Sequence, residues 1–308
     1  MFRLSSSQVS RLLSLPIVLA LTSPVAHGQT RAMTCDPGQI RADSYRLTTE
    51  AQALNLTRPR VDWWEAFDMS LEPYRDALWD VNAGALAIAV RARELDDRNA
   101  LAHAQIARQL VVLGEDGARA RDEIARLFGE GRSLVWTSTL YDVDAHDYFL
   151  TAFDADGIRV YRFAEAAGPV RRRLGIPELP GPEADKLWRA LGGCLDGLRA
   201  EASVPWQDVH EIKAGHYVLY FKFRTPVRIT SDRGSSKTVR ELKVALHGAI
   251  GTVDYLVSEE TRPGHPPTIR GIGIGPTAYQ DRIRRTLVSV VDVAGRIRLP
   301  KATRGAGW

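Results

Sequence analysis

The chain has 308 residues, 44% of them hydrophobic and 25% charged, and 41 basic against 37 acidic side chains leave a formal charge of +4. These are the proportions of an ordinary soluble globular protein with room for one large or two modest domains. So small an excess excludes a broadly basic surface, and no clustered basic stripe interleaved with aromatics marks a nucleic-acid site.

Arg3 and Arg11 precede an apolar run from Leu12 to Leu21, and Ala26-His27-Gly28 places small residues at −3 and −1 of a cut before Gln29. The pattern predicts a secretory signal peptide over residues 1–28. The run is short for a membrane span, and no later stretch reaches the needed length. Ala32-Met33-Thr34 before Cys35 is a poor lipobox, so no lipid anchor is expected. Arginine and alanine richness is that of a high-GC bacterial host, which makes the periplasm or the exterior the expected compartment. The two cysteines, Cys35 and Cys194, both follow the predicted cut. In an oxidising compartment they are a candidate disulfide; the alternative is that Cys194, on the apolar side of a helix, is a buried free thiol.

Residues 29–60 read as a polar arm with a helical hint between Ser44 and Leu54, tied down if Cys35 is bridged. Residues 61–131 read as helical. Trp63-Trp64 with Phe67 opens this region as packing residues. Phe67, Leu71, Tyr74 and Leu78 form an apolar stripe in which Pro73 is either a first-turn proline or a break. Leu86, Ala89, Val90 and Arg93 share one side of a helix closed by Leu95. Asn99 stands where an N-cap belongs, ahead of His103, Ile106, Ala107, Leu110 and Leu113 at helical spacing, and Gly114 is a natural terminator. Ala120, Ile124, Leu127 and Phe128 mark a third helix, stopped by Gly129.

The run Ala92-Arg-Glu-Leu95-Asp-Asp-Arg-Asn99-Ala100-Leu-Ala102-His resembles the junction between two tetratricopeptide repeats, with Gly114 and Ala120 near that family's glycine and alanine positions. Asp97 stands at the usual proline, His103 at the tryptophan, and Ile106-Ala107 at the Leu-Gly pair. The likeness covers about two repeats, roughly residues 71–129, where stacked repeats generally need about three to bury a continuous core. The resemblance implies helical hairpins that hold a peptide or partner protein on a concave side, or that pack on the rest of the chain.

From residue 132 to 308 the period changes. Ser133–Tyr141, Tyr148–Phe153 and Ile158–Phe163 read as strands, the last two joined by Asp154-Ala-Asp-Gly157, where glycine is available for positive φ. Arg171-Arg172-Arg173 reads as a solvated face. Leu187, Leu191, Cys194, Leu195 and Leu198 mark an amphipathic helix from near Glu183, which Gly192-Gly193 weaken locally while permitting close packing. His216–Phe223 with a continuation from Pro226 to Ile229, Thr238–Leu246, Val253–Val257 and Thr268–Ile274 read as further strands. Tyr279, Ile283 and Leu287 suggest a helix, and the β propensity of Leu287–Val293 suggests a strand at its end. The fold class expected is α+β: helical hairpins, then a mainly antiparallel sheet with flanking helices.

Candidate chemistry is sparse. Alternation puts Asp142, Asp144 and His146 on one side of an extended segment, a set suited to zinc or a hard divalent ion; the alternative is a polar loop in which Asp serves the turn. His210-Glu211 with His216 lacks the helical i, i+4 spacing of a zinc protease. Gly271-Ile-Gly273-Ile-Gly275 has the wrong spacing for a dinucleotide loop, and its bare glycine face suits close approach of a helix. Gly234-Ser-Ser-Lys-Thr238 lacks the first glycine of a phosphate loop and reads as a turn. No catalytic residue, metal or cofactor is assigned. The function expected is non-catalytic, an exported protein-binding or scaffolding protein; the alternative is a metal-dependent hydrolase using Asp142, Asp144 and His146.

Overall fold

The computed structural model describes residues 32–56, 72–114, 116–140, 143–162, 181–214, 219–230, 234–246, 255–260, 268–273 and 278–294. Trp63, Trp64, Phe67, the three arginines at 171–173, His216 and the predicted leader lie outside them.

The fold is α+β, as its periodicities require. Helix α1 spans Ala42–Leu56, α2 Glu72–Leu95, α3 Ala100–Leu113 and α4 Gly117–Gly129. Tyr74 and Leu78 of the upstream stripe belong to the same helix as the first predicted one, α2, which runs for 24 residues. Pro73 sits in its first turn, where a missing N–H costs no hydrogen bond. Successive helices pack as antiparallel hairpins because their crossing faces are small. Ala85, Ala89 and Ala92 of α2, and Ala100, Ala104 and Ala107 of α3, are all 0% exposed. Asn99 caps α3 by accepting from the Ala102 N–H at 3.2 Å. Its amide also donates to Ser44 Oγ at 2.8 Å and Thr48 Oγ1 at 2.9 Å. The predicted cap therefore also fastens α1 to the α2–α3 corner.

All fourteen residues of α3 are buried, polar ones included. It touches α1, α2, α4, the later helices α5 (Gly181–Leu191) and α6 (Ala278–Val291), and the first strand. An amphipathic helix has one apolar stripe, whereas a helix walled on every side must satisfy its polar side chains internally. His103 does so with both ring nitrogens, Nδ1 at 2.8 Å from Glu123 Oε2 and Nε2 at 2.9 Å from the Asp97 carbonyl, whereas the Gln109 side chain, equally buried, has no hydrogen-bond partner among the described residues. Arg93 donates to the other Glu123 oxygen.

Burial raises the Glu123 carboxyl, but the hydrogen bond and attraction to His103, with Arg93 and Arg126 nearby, outweigh it, so the group sits below its ordinary value of 4.5. A depressed carboxylate stabilises the fold above its unfolded pKa, and that contribution is lost as pH falls through its folded one. Glu123→Gln is expected to lower the denaturation midpoint at neutral pH and to narrow the gap to wild type by about pH 4. An unchanged gap at the two pH values, in urea titrations, would refute the pairing.

Seven strands follow: β1 Leu134–Leu140, β2 Asp144–Phe153, β3 Gly157–Arg162, β4 Ala202–Pro205, β5 Val209–Ala214, β6 Leu219–Thr230 and β7 Ser236–Leu246. They form one antiparallel sheet in the order β4-β3-β2-β1-β7-β6-β5. A separate two-stranded antiparallel sheet pairs β8, Tyr255–Glu260, with β9, Thr268–Gly273. Gly271 and Gly273 stand in β9 opposite Val257 and Tyr255, while Ile274 and Gly275 fall outside the described residues.

The large sheet is rolled. Its terminal strands, β4 and β5, are joined by only three residues, Trp206–Asp208, in a 3₁₀ turn. That link reaches about 14 Å, whereas six strand spacings of a flat sheet come to about 29 Å. The edges are accordingly brought together: β4 lies against β6, Arg224 donates to the Gln207 carbonyl at 2.8 Å, and Thr225 bonds both oxygens of Asp208 at 3.2 and 3.1 Å. Side chains from separated strands meet inside. The Phe153 ring of β2 lies 5.7 Å from Phe221 of β6, 5.9 Å from Trp136 and 6.4 Å from Trp206.

The outer side of β1–β3 is covered by α5. Val135, Leu150, Ala152 and Tyr161 pack with Leu187, Ala190, Leu191 and Leu195. This helix stops at Leu191, short of the predicted end, so Cys194 and Leu195 lie beyond it. The Cys194 N–H bonds the Arg189 carbonyl, and Gly193 takes φ +81°, a left-handed terminator. Any side chain at Gly193 would meet the Ser133 carbonyl at 2.2 Å, which is the close packing expected there. Gly157 differs from expectation in its reason. It is not among the residues with positive φ; a Cβ there would strike the Val204 carbonyl of β4 at 2.2 Å, and Asp154 closes the turn by accepting from the Asp156 and Gly157 amides. The Tyr279–Leu287 segment resolves as helix, α6, with a 3₁₀ turn over Asp292–Ala294 in place of a strand.

Candidate binding site

Cys35 and Cys194 form a disulfide with Cα atoms 5.9 Å apart, 159 residues apart in sequence. The free-thiol alternative is thereby set aside. The bridge anchors the arm, which is also held by a parallel bridge between Thr34 and Asn99 and by Arg98 donating to the Gln39 carbonyl.

The metal candidates are Asp142, Asp144 and His146. Asp142 lies outside the described residues, and Asp144 and His146 fall in β2, with Asp144 opposite Leu140 of β1. Among the described residues no group of three potential metal ligands occurs. His210 is an exposed residue at a bulge of β5. Gly234, with φ +78°, lies in the turn between β6 and β7, as its sequence suggested.

A buried polar group survives at the foot of α3. Arg108 is 5% exposed and donates to the Leu191 carbonyl at 2.8 Å, the Val135 carbonyl at 3.4 Å and the Gln105 side chain, with no carboxylate partner among the described residues. Burial pushes its guanidinium down to about 10. Its contacts join α3, β1 and the end of α5 beside the disulfide, which makes it a strut.

The open surface lies elsewhere. On β5–β7, core side chains such as Ile212, Phe221, Leu242 and Val244 alternate with charged ones that stay partly or fully exposed. The register lines these up in rows. Glu211, Lys222 and Glu241 stand side by side, and Lys213, Tyr220 and Lys243 form the next row. Glu211 meets Lys213 and Lys222, each at 2.9 Å, and Glu241 meets Lys222 at 3.8 Å and Lys243 at 3.7 Å. Hydrogen bonds from Lys213 and Lys222 hold the Glu211 carboxyl below its usual range.

Past this ladder, where a bulge falls between Lys222 and Val227, the balance changes. Arg224, Arg228, Lys237 and Arg240 are exposed, and His210, Lys222, Phe223, Arg224, Arg240 and Glu241 line a shallow cleft of about 580 Å³. The strands β5–β7 hold seven Lys and Arg against two Glu, a net +5, while the whole chain carries +4.

Comparison with family models, curated proteins and solved structures finds no match.

No basic cluster is visible along the sequence because these cations alternate with core residues on strands paired by the fold. Only Lys222 and Arg224 stand two apart, and Lys237, Arg240 and Lys243 are spaced by three, so no strand period marks the cluster in the sequence. Tyr220 is the one described aromatic among them that is not fully buried. No helix among the described residues is long and apolar enough to cross a membrane.

Proposed function

We propose that this is an exported, non-catalytic protein-binding protein whose partner surface is the outer face of β5–β7. One observation carries the choice of surface. The all-buried α3 leaves the hairpins no concave side of their own, since the later helices and β1 occupy it, whereas the β5–β7 face keeps its charged rows in solvent. The hairpins are on this reading a degenerate pair of tetratricopeptide-like units serving as core, consistent with the loss of the family's proline and tryptophan at Asp97 and His103. Export fits a buried disulfide, which persists in oxidising compartments.

Cross-linking of the mature chain in its own extracellular or periplasmic fraction is expected to capture one reproducible partner, lost on Tyr220→Asp with the fold intact by circular dichroism. A monomeric, folded chain that captures no partner would overturn the reading. The metal-dependent hydrolase at Asp142, Asp144 and His146 makes the opposite forecast: stoichiometric metal on the purified protein, removed by Asp144→Ala.

A further inference from the structure

The charged face is built in two parts, and the difference between them names the ligand. In the ladder the cations are held: Lys213, Lys222 and Lys243 each pair with Glu211 or Glu241. Such a self-neutralised array has little charge left for a partner. Beyond the bulge no acid of β5–β7 answers the cations. Glu241, which lines the same cleft, is engaged by Lys222 and Lys243, and Asp208 by the amide and hydroxyl of Thr225. Arg224 is steadied through one nitrogen on the Gln207 carbonyl, and Arg240 stands in the same cleft with Lys222 and His210. A guanidinium presents paired donors that match a carboxylate edge-on, so two arginines over one cleft form a fork for acidic groups.

We propose that the cleft between Arg224 and Arg240, with Lys222 and His210 on its wall, docks an acidic, Asp- and Glu-rich segment of the partner protein. This rests on the protein-binding reading above. Charge complementarity selects the occupant: an unbalanced cationic patch on a chain whose remaining charge is near neutral attracts and orients an anionic strand. Single-stranded nucleic acid fits less well, because sequence-tolerant binding uses exposed aromatic platforms beside the basic groove, whereas Tyr220 stands in the ladder and Phe223 of the cleft is only 1% exposed.

The test is fluorescence anisotropy on the mature, oxidised chain with labelled oligo-glutamate, oligo-lysine and oligo-thymidylate probes. Oligo-glutamate alone is expected to bind, about tenfold more weakly when salt rises from roughly 0.05 to 0.3 M. Arg224→Glu with Arg240→Glu should abolish binding and Arg240→Gln should weaken it, while Arg121→Glu on exposed α4 leaves it unchanged. Melting curves establish that each variant is folded. No oligo-glutamate binding by the folded wild type overturns the proposal, as does oligo-thymidylate binding of equal strength lost in the same variants. A captured partner that oligo-glutamate fails to displace sinks the acidic segment while leaving the protein-binding reading standing. Peptide binding without any captured partner does the reverse.

Discussion

Replacing Cys35 and Cys194 together by serine is expected to lower the unfolding free energy by about 5 kcal/mol, less any strain relieved. The figure follows from the loop of 159 residues that the bridge closes in the unfolded chain. A constraint on so long a segment removes many unfolded conformations while leaving native contacts almost untouched. Both cysteines are buried, Cys35 5% and Cys194 6% exposed, so the serines also place two hydroxyls in an apolar setting. Urea unfolding of the double variant, compared with oxidised wild type, measures the difference. Two outcomes speak against the bridge: a double variant as stable as wild type, or two thiols titrating in the unreduced, denatured protein. The effect should appear first in the arm, whose remaining ties are the Thr34–Asn99 bridge, a few hydrogen bonds and the buried Met33 and Ile40.

Trp206→Ala is expected to cost about 3–5 kcal/mol, the range for emptying a large buried aromatic site. Its indole is 0% exposed, stacks on Phe153 and donates to the Asp154 carbonyl at 2.7 Å. The position matters more than the area. Trp206 begins the three-residue link that holds β4 and β5 together, so the cavity opens at the seam of the roll. Trp206→Phe separates the two contributions: it keeps most of the packing and loses the hydrogen bond, leaving the Asp154 carbonyl unpaired at about 1–3 kcal/mol. If the alanine variant unfolds within about 1 kcal/mol of wild type, the seam does not hold the sheet rolled. Loss of near-ultraviolet dichroism with far-ultraviolet signal retained would show the aromatic interior loosening before the strands separate.

Local chemistry made much of this molecule legible. Asn99, Gly114 and Pro73 work as their types dictate at helix ends, and the apolar periods of 86–128 give three helices because period and capping agree. The stretch 219–223 alternates as a half-buried strand must, whereas the strands of 133–163 are buried on both faces because α5 covers their outer side. The Cys35–Cys194 pairing was available as the single possible combination of two cysteines. The end of α5 was not. Leu195 and Leu198 continue the apolar spacing past Leu191, but Gly192 lies on Leu101 and Gly193 on Ser133, contacts between segments far apart in sequence.

By itself the sequence determined the fold class, the hairpin helices and the bridge partners, because caps, periods and a two-member cysteine set act over a few residues or by counting. Tertiary structure alone decided that α3 is walled on every side, that the sheet closes through Trp206, and that Lys222, Arg224 and Arg240 line one cleft. Each depends on which strand lies beside which, and no local spacing encodes that order. The candidate site belongs to this second kind: Arg224 and Arg240 become neighbours only when β6 folds back on β7.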